Sequence, residues 1–310
     1  MRKSIEIVEV GPRDGLQNEP GVLPTPVKIE LITRLAASGL KRIEAASFVN
    51  PAKVPQMADA EQVLAALPRE GATRYIGLVL NRKGFDRAKA AGCREIGMAL
   101  AVSDTFNRRN QRVGTDESIA EWLDIAHAAR EAGIDAHITL STSFGCPFEG
   151  EVAPERVVDV ARRVAAAGPT ELALADTIGA GVPAQVTDLV ARVRAALPGL
   201  KLRCHFHNTR NTGLANAYAA AQAGVETLDA SVGGIGGCPF APGATGNIPT
   251  EDLLYLLHRS GFETGVALER LIDTGKWLQQ QLGRPVPGLL VKAGVFPRTE
   301  ARAHRPATSG

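Results

Sequence analysis

Residues 154–183 read PERVVDVARRVAAAGPTELALADTIGAGVP and contain one complete helix-and-strand unit followed by the start of the next helix. Pro154 stands where a helix begins, and from Val157 to Val164 apolar residues recur every three or four positions, as along one face of an amphipathic helix. A short apolar run at Glu171–Ala175 predicts a buried strand, and Pro183 opens the next helix. Strands that alternate with helices in this way predict parallel pairing through crossover helices.

The same strand-and-helix unit recurs along the chain and gives eight candidate strands. These are Ile5–Val10, Arg42–Ser47, Arg74–Leu80, Glu95–Ala101, Ala136–Ser141, Glu171–Ala175, Leu202–His207 and Thr227–Val232. Eight units are the number that closes an α/β fold of the (β/α)8 TIM-barrel type, which is the fold we predict. An open doubly wound sheet is the alternative, but its G-x-G-x-x-G phosphate turn is absent from the first turn, GPRDGLQNEP at 11–20.

The pattern after the last barrel unit predicts one extra helix around Leu268–Leu282. We predict a single catalytic domain over residues 1–297, because no linker marks a second one. The final residues, RTEARAHRPATSG at 298–310, are polar and predict a disordered tail.

Composition and charge exclude several function classes. The formal net charge of the 310 residues is +2 and aromatic residues make up 5%, so no basic, base-stacking surface for nucleic acid is predicted. No segment approaches the roughly 18 continuous apolar residues of a membrane span, and the amino terminus, MRKSIEIVEV, has no signal-peptide pattern. The four cysteines, which form no C-x-x-C pair, predict neither a disulfide scaffold nor a structural zinc site; we expect a reducing, cytoplasmic location.

Two histidines in CHFHN at 204–208 give the clearest sign of a metal site. Alternate residues of a strand point to the same face, so His205 and His207 can bind one ion. A structural histidine is the alternative for either residue alone, but a same-face pair at the carboxyl end of a barrel strand favours metal ligation. With the carboxylate of Asp14 and the amide oxygen of Asn247 the donors are nitrogen and oxygen, which favours Mg²⁺ or Mn²⁺, with Zn²⁺ or Co²⁺ as substitutes.

The segment SVGGIGGCPFAPGATGN at 231–247 contains too much glycine and proline for a helix or a strand. We predict a mobile loop that closes over the site. A flexible connector is the alternative, but a connector does not need a cysteine between Gly237 and Pro239. Cys238 is therefore a candidate catalytic thiol, whose pKa a nearby cation and arginine would lower.

These residues belong to motifs that resemble those of the hydroxymethylglutaryl-CoA lyases, members of the barrel metallolyase superfamily that also contains isopropylmalate and citramalate synthases. The resemblance runs from about Ile5 to Gly283. Its motifs are VEVGPRDGLQNEP at 8–20, SFVNP at 47–51, VPQM at 54–57, GCPFEG at 145–150, DTIG at 176–179 and the glycine-rich segment at 231–247.

The resemblance implies a retro-Claisen cleavage of an acyl-CoA thioester, 3-hydroxy-3-methylglutaryl-CoA, to acetyl-CoA and acetoacetate by a homo-oligomer, a dimer or larger. It implies that the divalent cation is held by Asp14, His205, His207 and Asn247. The residues leave three candidates for the base that takes the hydroxyl proton: a metal-site histidine, Asp14 or a bound water.

Position by position, the resemblance also implies roles in catalysis and substrate binding. Arg13 would neutralise the enolate oxygen, Glu44 would help to position Arg13 and the proton-transfer machinery, and Cys238 would transfer a proton to or from the enolate carbon. The implied substrate contacts are Arg13, Gln17, Ser47, Arg108, Arg109, Asn110, Asp176 and Thr177, of which the cluster at 108–110 lies near the CoA moiety in the family.

The chain departs from the family pattern at two places. After the metal histidines the family usually has an aspartate followed by T-Y-G-Q, whereas residues 208–211 read NTRN. Ala45 and Ala46 stand where the lyases usually have hydroxyl residues. The reaction type is therefore predicted more strongly than the substrate. The alternatives are a lyase for another 3-hydroxyacyl-CoA such as citramalyl-CoA, a Claisen-condensing synthase, which usually has a longer carboxy-terminal extension, and a non-catalytic binding protein.

Overall fold

The computed structural model describes residues 3–237 and 246–297. Eight parallel strands form a closed barrel in the order in which they occur in the chain. They are β1 (Glu6–Glu9), β2 (Arg42–Ser47), β3 (Arg74–Val79), β4 (Glu95–Ala101), β5 (Asp135–Ser141), β6 (Leu172–Asp176), β7 (Leu202–Phe206) and β8 (Thr227–Ala230). The pairing of β8 with β1, from Thr227 opposite Glu6 to Ala230 opposite Glu9, closes the barrel. The predicted fold class is confirmed.

Eleven α-helices are found within the described residues. They are α1 (Thr25–Ala37), α2 (Ala60–Ala66), α3 (Arg82–Ala90), α4 (Asp104–Gln111), α5 (Thr115–Glu131), α6 (Pro154–Ala165), α7 (Pro183–Ala196), α8 (Gly213–Gln222), α9 (Thr250–Arg259), α10 (Leu268–Leu282) and α11 (Leu290–Ala293). Among them, none combines the length and the apolar composition that crossing a bilayer requires.

Packing between α6 and the barrel shows why the apolar pattern produces this fold. The buried face of α6 consists of Val157, Val160, Ala161 and Val164, and every residue of β6 is buried. Burying a valine or leucine side chain is worth about 1.5–3 kcal/mol, so the helix is held on the barrel mainly by this stripe. The helix begins at Pro154, whose missing N–H costs nothing in the first turn.

The predicted elements agree closely with those observed. All eight strands are present with ends within two residues of the predicted ones, and α10 has the predicted bounds. A small parallel pair, Lys3–Ser4 with Phe262–Glu263, was not predicted, because two residues are too few to show a period. The tail predicted over 298–310 lies outside the described residues.

Candidate active site

A cavity of about 190 Å³ opens at the carboxyl end of the barrel. Each strand, or the turn after it, contributes to the wall; one residue from each, in chain order, is Arg13, Glu44, Leu78, Ala99, Ser141, Ala175, His205 and Asp229. This is the end of the barrel where the active sites of TIM-barrel enzymes assemble.

A tight turn after β1 presents Arg13 and Asp14 to this cavity. Residues Gly11–Gly15 form one turn of π-helix, in which the N–H groups of Arg13, Asp14 and Gly15 all converge on the carbonyl oxygen of Val10. Single π-helical turns are rare and are frequent at functional sites. Gly15 has no alternative here, because a Cβ at that position would lie 2.6 Å from Ile235 Cγ1.

Three of the predicted metal ligands lie together. Asp14, His205 and His207 each offer a ligand atom, and these atoms lie within 4.8 Å of one another. Asn247 joins them, because its Nδ2 donates to Asp14 Oδ2 at 2.9 Å and residue 247 is bridged to His207 through the backbone.

The donor atoms fit a divalent cation. Asn247 Oδ1 and His207 Nδ1 are buried and have no hydrogen-bond partner within the described residues, which is costly unless a ligand satisfies them. Two imidazoles, a carboxylate and an amide oxygen form the mixed donor set that suits Mg²⁺ or Mn²⁺ better than a thiolate-binding metal.

A second group, Arg13 with Glu44, lies beside these ligands. Arg13 Nε donates to Glu44 Oε2 at 2.8 Å, and Arg13 Nη1 donates to Asp14 Oδ1 at 2.6 Å. Glu44 reaches the cavity because β2 shifts register between Glu44 and Ala46, and such bulges re-aim side chains near active sites. One guanidinium therefore links the second-strand acid to the metal cluster.

The electrostatics leave Asp14 and His207 in metal-binding forms. Burial raises the pKa of Asp14, but Arg13 and the two imidazoles outweigh this and hold that pKa below its usual value. Burial and the neighbouring His205 lower the pKa of His207 to about 4. An ionised carboxylate and a neutral imidazole are the protonation states that metal binding requires. Burial lowers the pKa of His205, but Asp229 and Asp14 outweigh burial and raise that pKa above its usual value, so this imidazole releases a proton when a metal binds.

Asp229, which the sequence reasoning missed, contacts the metal cluster from below. Its Oδ2 lies 3.1 Å from His205 Nδ1, and its Oδ1 accepts a hydrogen bond from Arg203 Nε. The only signal in the sequence is an aspartate inside a buried strand, TLDA at 227–230. Charged residues are uncommon in strands with no solvent-facing side, and that criterion would have found it.

The other predicted contacts divide into two groups. Gln17, Asn110 and Thr177 line the cavity. Ser47 is fully buried with its hydroxyl unpartnered within the described residues, and Asp176 accepts hydrogen bonds from the Ala180 and Gly181 amides. These two lie behind the wall.

The arginines predicted near the CoA moiety lie away from the metal cluster. Arg108 is exposed and pairs with Asp104 on α4, while the Arg109 guanidinium stacks on Phe148 at 4.1 Å. On a helix the three residues 108–110 point in different directions, so only Asn110 faces the cavity.

The glycine-rich segment is only partly described. The prediction that residues 231–247 exclude helix and strand is wrong in part, because Val232–Gly234 form a turn of 3₁₀-helix and Asn247 forms a β-bridge with His207. Cys238 lies outside the described residues. Gly237, the last described residue before it, lines the cavity.

The family model described as HMGL-like matches residues 4–278. The chain belongs to this family. It is 46% identical to the (R)-citramalyl-CoA lyase of Chloroflexus aurantiacus over 97% of this chain and 98% of that protein. It is 47% identical to the hydroxymethylglutaryl-CoA lyase of Pseudomonas mevalonii over 91% of this chain and 93% of that protein.

Solved structures show the same likeness. An HMG-CoA lyase from Bacillus subtilis superposes with a TM-score of 0.91 at 40% identity, covering 94% of this chain and 98% of its own. An HMG-CoA lyase from Acinetobacter baumannii, in complex with coenzyme A and 3-methylmalate, also gives 0.91 at 40% identity, covering 95% and 96%. The predicted membership of the hydroxymethylglutaryl-CoA lyase family and the enzyme class, a carbon–carbon lyase, are confirmed.

Proposed function

We propose that this enzyme cleaves 3-hydroxy-3-methylglutaryl-CoA to acetyl-CoA and acetoacetate by a divalent-metal-dependent retro-Claisen reaction. The main support for this proposal is the position of Arg13. Its guanidinium donates to both Glu44 and Asp14, and Asp14 is part of the candidate metal cluster. A fixed positive charge beside a cation site suits a reaction whose negative charge develops on a thioester oxygen.

Asp14, His205, His207 and Asn247 would hold the cation, most suitably Mg²⁺ or Mn²⁺. A bound divalent cation acidifies a coordinated hydroxyl and stabilises negative charge on a neighbouring oxygen. The unpartnered oxygen of Asn247 and the unpartnered nitrogen of His207 support this assignment.

The residues around the metal cluster would stabilise the enolate that forms when the carbon–carbon bond breaks. Once the tertiary hydroxyl loses its proton, the C2–C3 bond breaks, the hydroxyl oxygen becomes the ketone oxygen of acetoacetate, and the bonding electrons form the acetyl-CoA enolate. Arg13 would donate hydrogen bonds to the enolate oxygen, with Glu44 fixing its orientation through the 2.8 Å hydrogen bond to Nε. Gln17, Asn110 and Thr177 supply polar contacts in the cavity wall.

Cys238 would complete the reaction by protonating the enolate carbon. A thiol is suited to this role because its pKa lies closer to neutral pH than that of a hydroxyl, and Gly237, the residue before Cys238, lines the cavity. Closure of the glycine-rich segment would exclude water, which protects the enolate from side reactions.

Cleavage of citramalyl-CoA is the second candidate. The identity with the Chloroflexus aurantiacus enzyme extends over 97% of this chain. The NTRN sequence at 208–211 also departs from the lyase pattern, and Arg210 there donates to the Ile178 and Gly179 carbonyls beside the cavity. Citramalyl-CoA is one methylene shorter, a difference that a pocket discriminates by about 1–3 kcal/mol.

Product analysis tests both candidates. Enzyme stripped with a chelator is incubated with each thioester, with and without Mg²⁺ or Mn²⁺, and the ketone product is identified as acetoacetate or pyruvate. We expect cation-dependent acetyl-CoA release and a higher kcat/KM for 3-hydroxy-3-methylglutaryl-CoA. A higher value for citramalyl-CoA would reverse the order of the candidates, and full activity without cation would refute the metal's role.

The proposal has two further parts, an oligomeric state that the family resemblance supports and a location that the four cysteines without a C-x-x-C pair support. We expect a homo-oligomer, a dimer or larger, measurable by light scattering, and a cytoplasmic location, measurable by fractionation of the source cells.

A further inference from the structure

The barrel interior beneath the metal cluster contains charged side chains, where most TIM barrels have apolar layers. The largely or fully buried members are Arg42, Glu95, His137, Glu171, Arg203 and Asp229. Burying a charge is costly unless it is paired and hydrogen-bonded. Among these side chains, the two arginines are paired with three carboxylates. The carboxylate nearest the candidate site is Asp229.

The contacts form a continuous path from the amino end of the barrel to the site. Arg42 pairs with Glu95 at 2.5 Å and with Glu171 at 3.0 Å in the wall of a cavity at the amino end. Higher in the barrel, His137 Nδ1 lies 3.3 Å from Glu95 Oε1, and Arg203 Nη1 donates to His137 Nε2 at 3.1 Å. The ring of His137 fits only because residue 97 is glycine; a Cβ there would lie 2.5 Å from His137 Nε2.

Asp229 uses each of its oxygens for a different partner. Oδ1 accepts from Arg203 Nε and Oδ2 contacts His205 Nδ1 at 3.1 Å. An ionised carboxylate can only accept, so His205 Nδ1 must carry the hydrogen. The lone pair of His205 is then on Nε2, the nitrogen left for the cluster with Asp14 and His207.

Arg203 in turn keeps Asp229 in this role. Its side chain is 2% exposed, and its Nε is directed at Asp229. Without that guanidinium, Asp229 Oδ1 would be a buried carboxylate oxygen without its hydrogen-bond partner, and the carboxylate would lose the contact that fixes its orientation toward His205 Nδ1.

We propose that Arg203, acting through Asp229, is a positioning residue that holds His205 in its metal-binding tautomer. The inference rests on the proposed metal dependence. It adds that the metal affinity of this enzyme is set partly by an arginine with no place in the ligand shell.

The test is Mn²⁺ binding to the chelator-stripped full-length enzyme, measured by calorimetry. The variants are Asp229→Asn and Arg203→Met. Asp229→Asn conserves the shape, but one of the two oxygens becomes an NH2 group that only donates, so the hydrogen bond to either Arg203 or His205 is lost. Arg42→Met is the matched control, because it removes a similar ion-paired arginine from the same interior, and the ion pairs that it breaks go to Glu6, Glu95 and Glu171 rather than to Asp229.

We expect Asp229→Asn and Arg203→Met to weaken Mn²⁺ binding by about 10- to 100-fold, the usual effect of losing an outer-shell partner of a ligating histidine. Arg42→Met should lower the melting temperature, but its Mn²⁺ dissociation constant should stay within about twofold of the wild-type value, a much smaller change than the loss of an outer-shell partner causes. Wild-type affinity in Asp229→Asn, or equal weakening in Arg42→Met, would overturn the inference. If the wild type itself binds no Mn²⁺, the proposed metal dependence fails and the inference fails with it. Should Arg203→Met not fold, Asp229→Asn alone decides between these outcomes.

Discussion

Replacing Arg13 with methionine should separate catalysis from metal binding. Methionine retains an unbranched side chain but removes the guanidinium that donates to Glu44 at 2.8 Å and to Asp14 at 2.6 Å. If this charge stabilises the enolate oxygen, its loss should raise the activation free energy by about 4 kcal/mol, which is about a thousandfold in kcat.

Metal binding should respond in the opposite direction. Arg13 competes with a cation for Asp14, so its removal leaves the ligand set more negative and Mn²⁺ should bind as tightly as before or more tightly. The protein itself should be less stable, because breaking a buried ion pair from one side costs about 3–5 kcal/mol. Glu44, whose side chain is 3% exposed, is the group left unpaired.

The assay is steady-state cleavage of 3-hydroxy-3-methylglutaryl-CoA below the melting temperature of the variant, with Mn²⁺ binding measured in parallel. Arg192→Met is the control, because Arg192 also pairs with carboxylates, Glu155 and Asp188, but on the exposed outer face of the barrel. The control should keep near-normal kcat. The reasoning is refuted if folded Arg13→Met turns over within about tenfold of wild type, far less than the loss expected for an oxyanion donor, or if lost Mn²⁺ binding accounts for its inactivity.

Three further results follow from the site and its supports. Cys238→Ser should lose about two orders of magnitude in kcat while Mn²⁺ binding is retained, and a variant that keeps more than about half of wild-type turnover would exclude the thiol as the proton donor. Adding Mn²⁺ at about 100 times its Kd to stripped enzyme should raise stability by about 2.7 kcal/mol, seen as a higher melting temperature; no shift would argue against the site. Burial raises the pKa of Glu251 to about 8, so the stability it provides is complete below its unfolded value of 4.5 and is lost as the pH rises through 8. The melting temperature of Glu251→Gln should therefore fall less between pH 6 and pH 9 than that of wild type. Identical profiles of melting temperature against pH would contradict this.

Much of the fold could be predicted because its causes are local. The alternation of short apolar runs with three-to-four-spaced helices depends only on neighbouring residues, and it located all eight strands to within two residues. The spacing of His205 and His207 is also local, since alternate residues of one strand share a face whatever the strand pairs with. Periodicity and the family motifs also placed Asp14 and Asn247 with the histidines at the same end of the barrel, where the structure brings them together.

Which of these side chains come into contact depends on how the strands pair and where the loops lie, and this cannot be read from the local sequence. Asn247 donates a hydrogen bond to Asp14 although the two residues are 233 positions apart in the sequence. Arg13 contacts Glu44 at a bulge in β2, and no pattern in the sequence predicts that bulge. Asp229 acquires its role only because β8 pairs with β7 in the register that places Asp229 beside His205. The pairing register of the strands is a property of the whole barrel. A shift of one strand by one residue would turn its side chains from the interior to the outside, and the sequence of that strand alone does not determine its register.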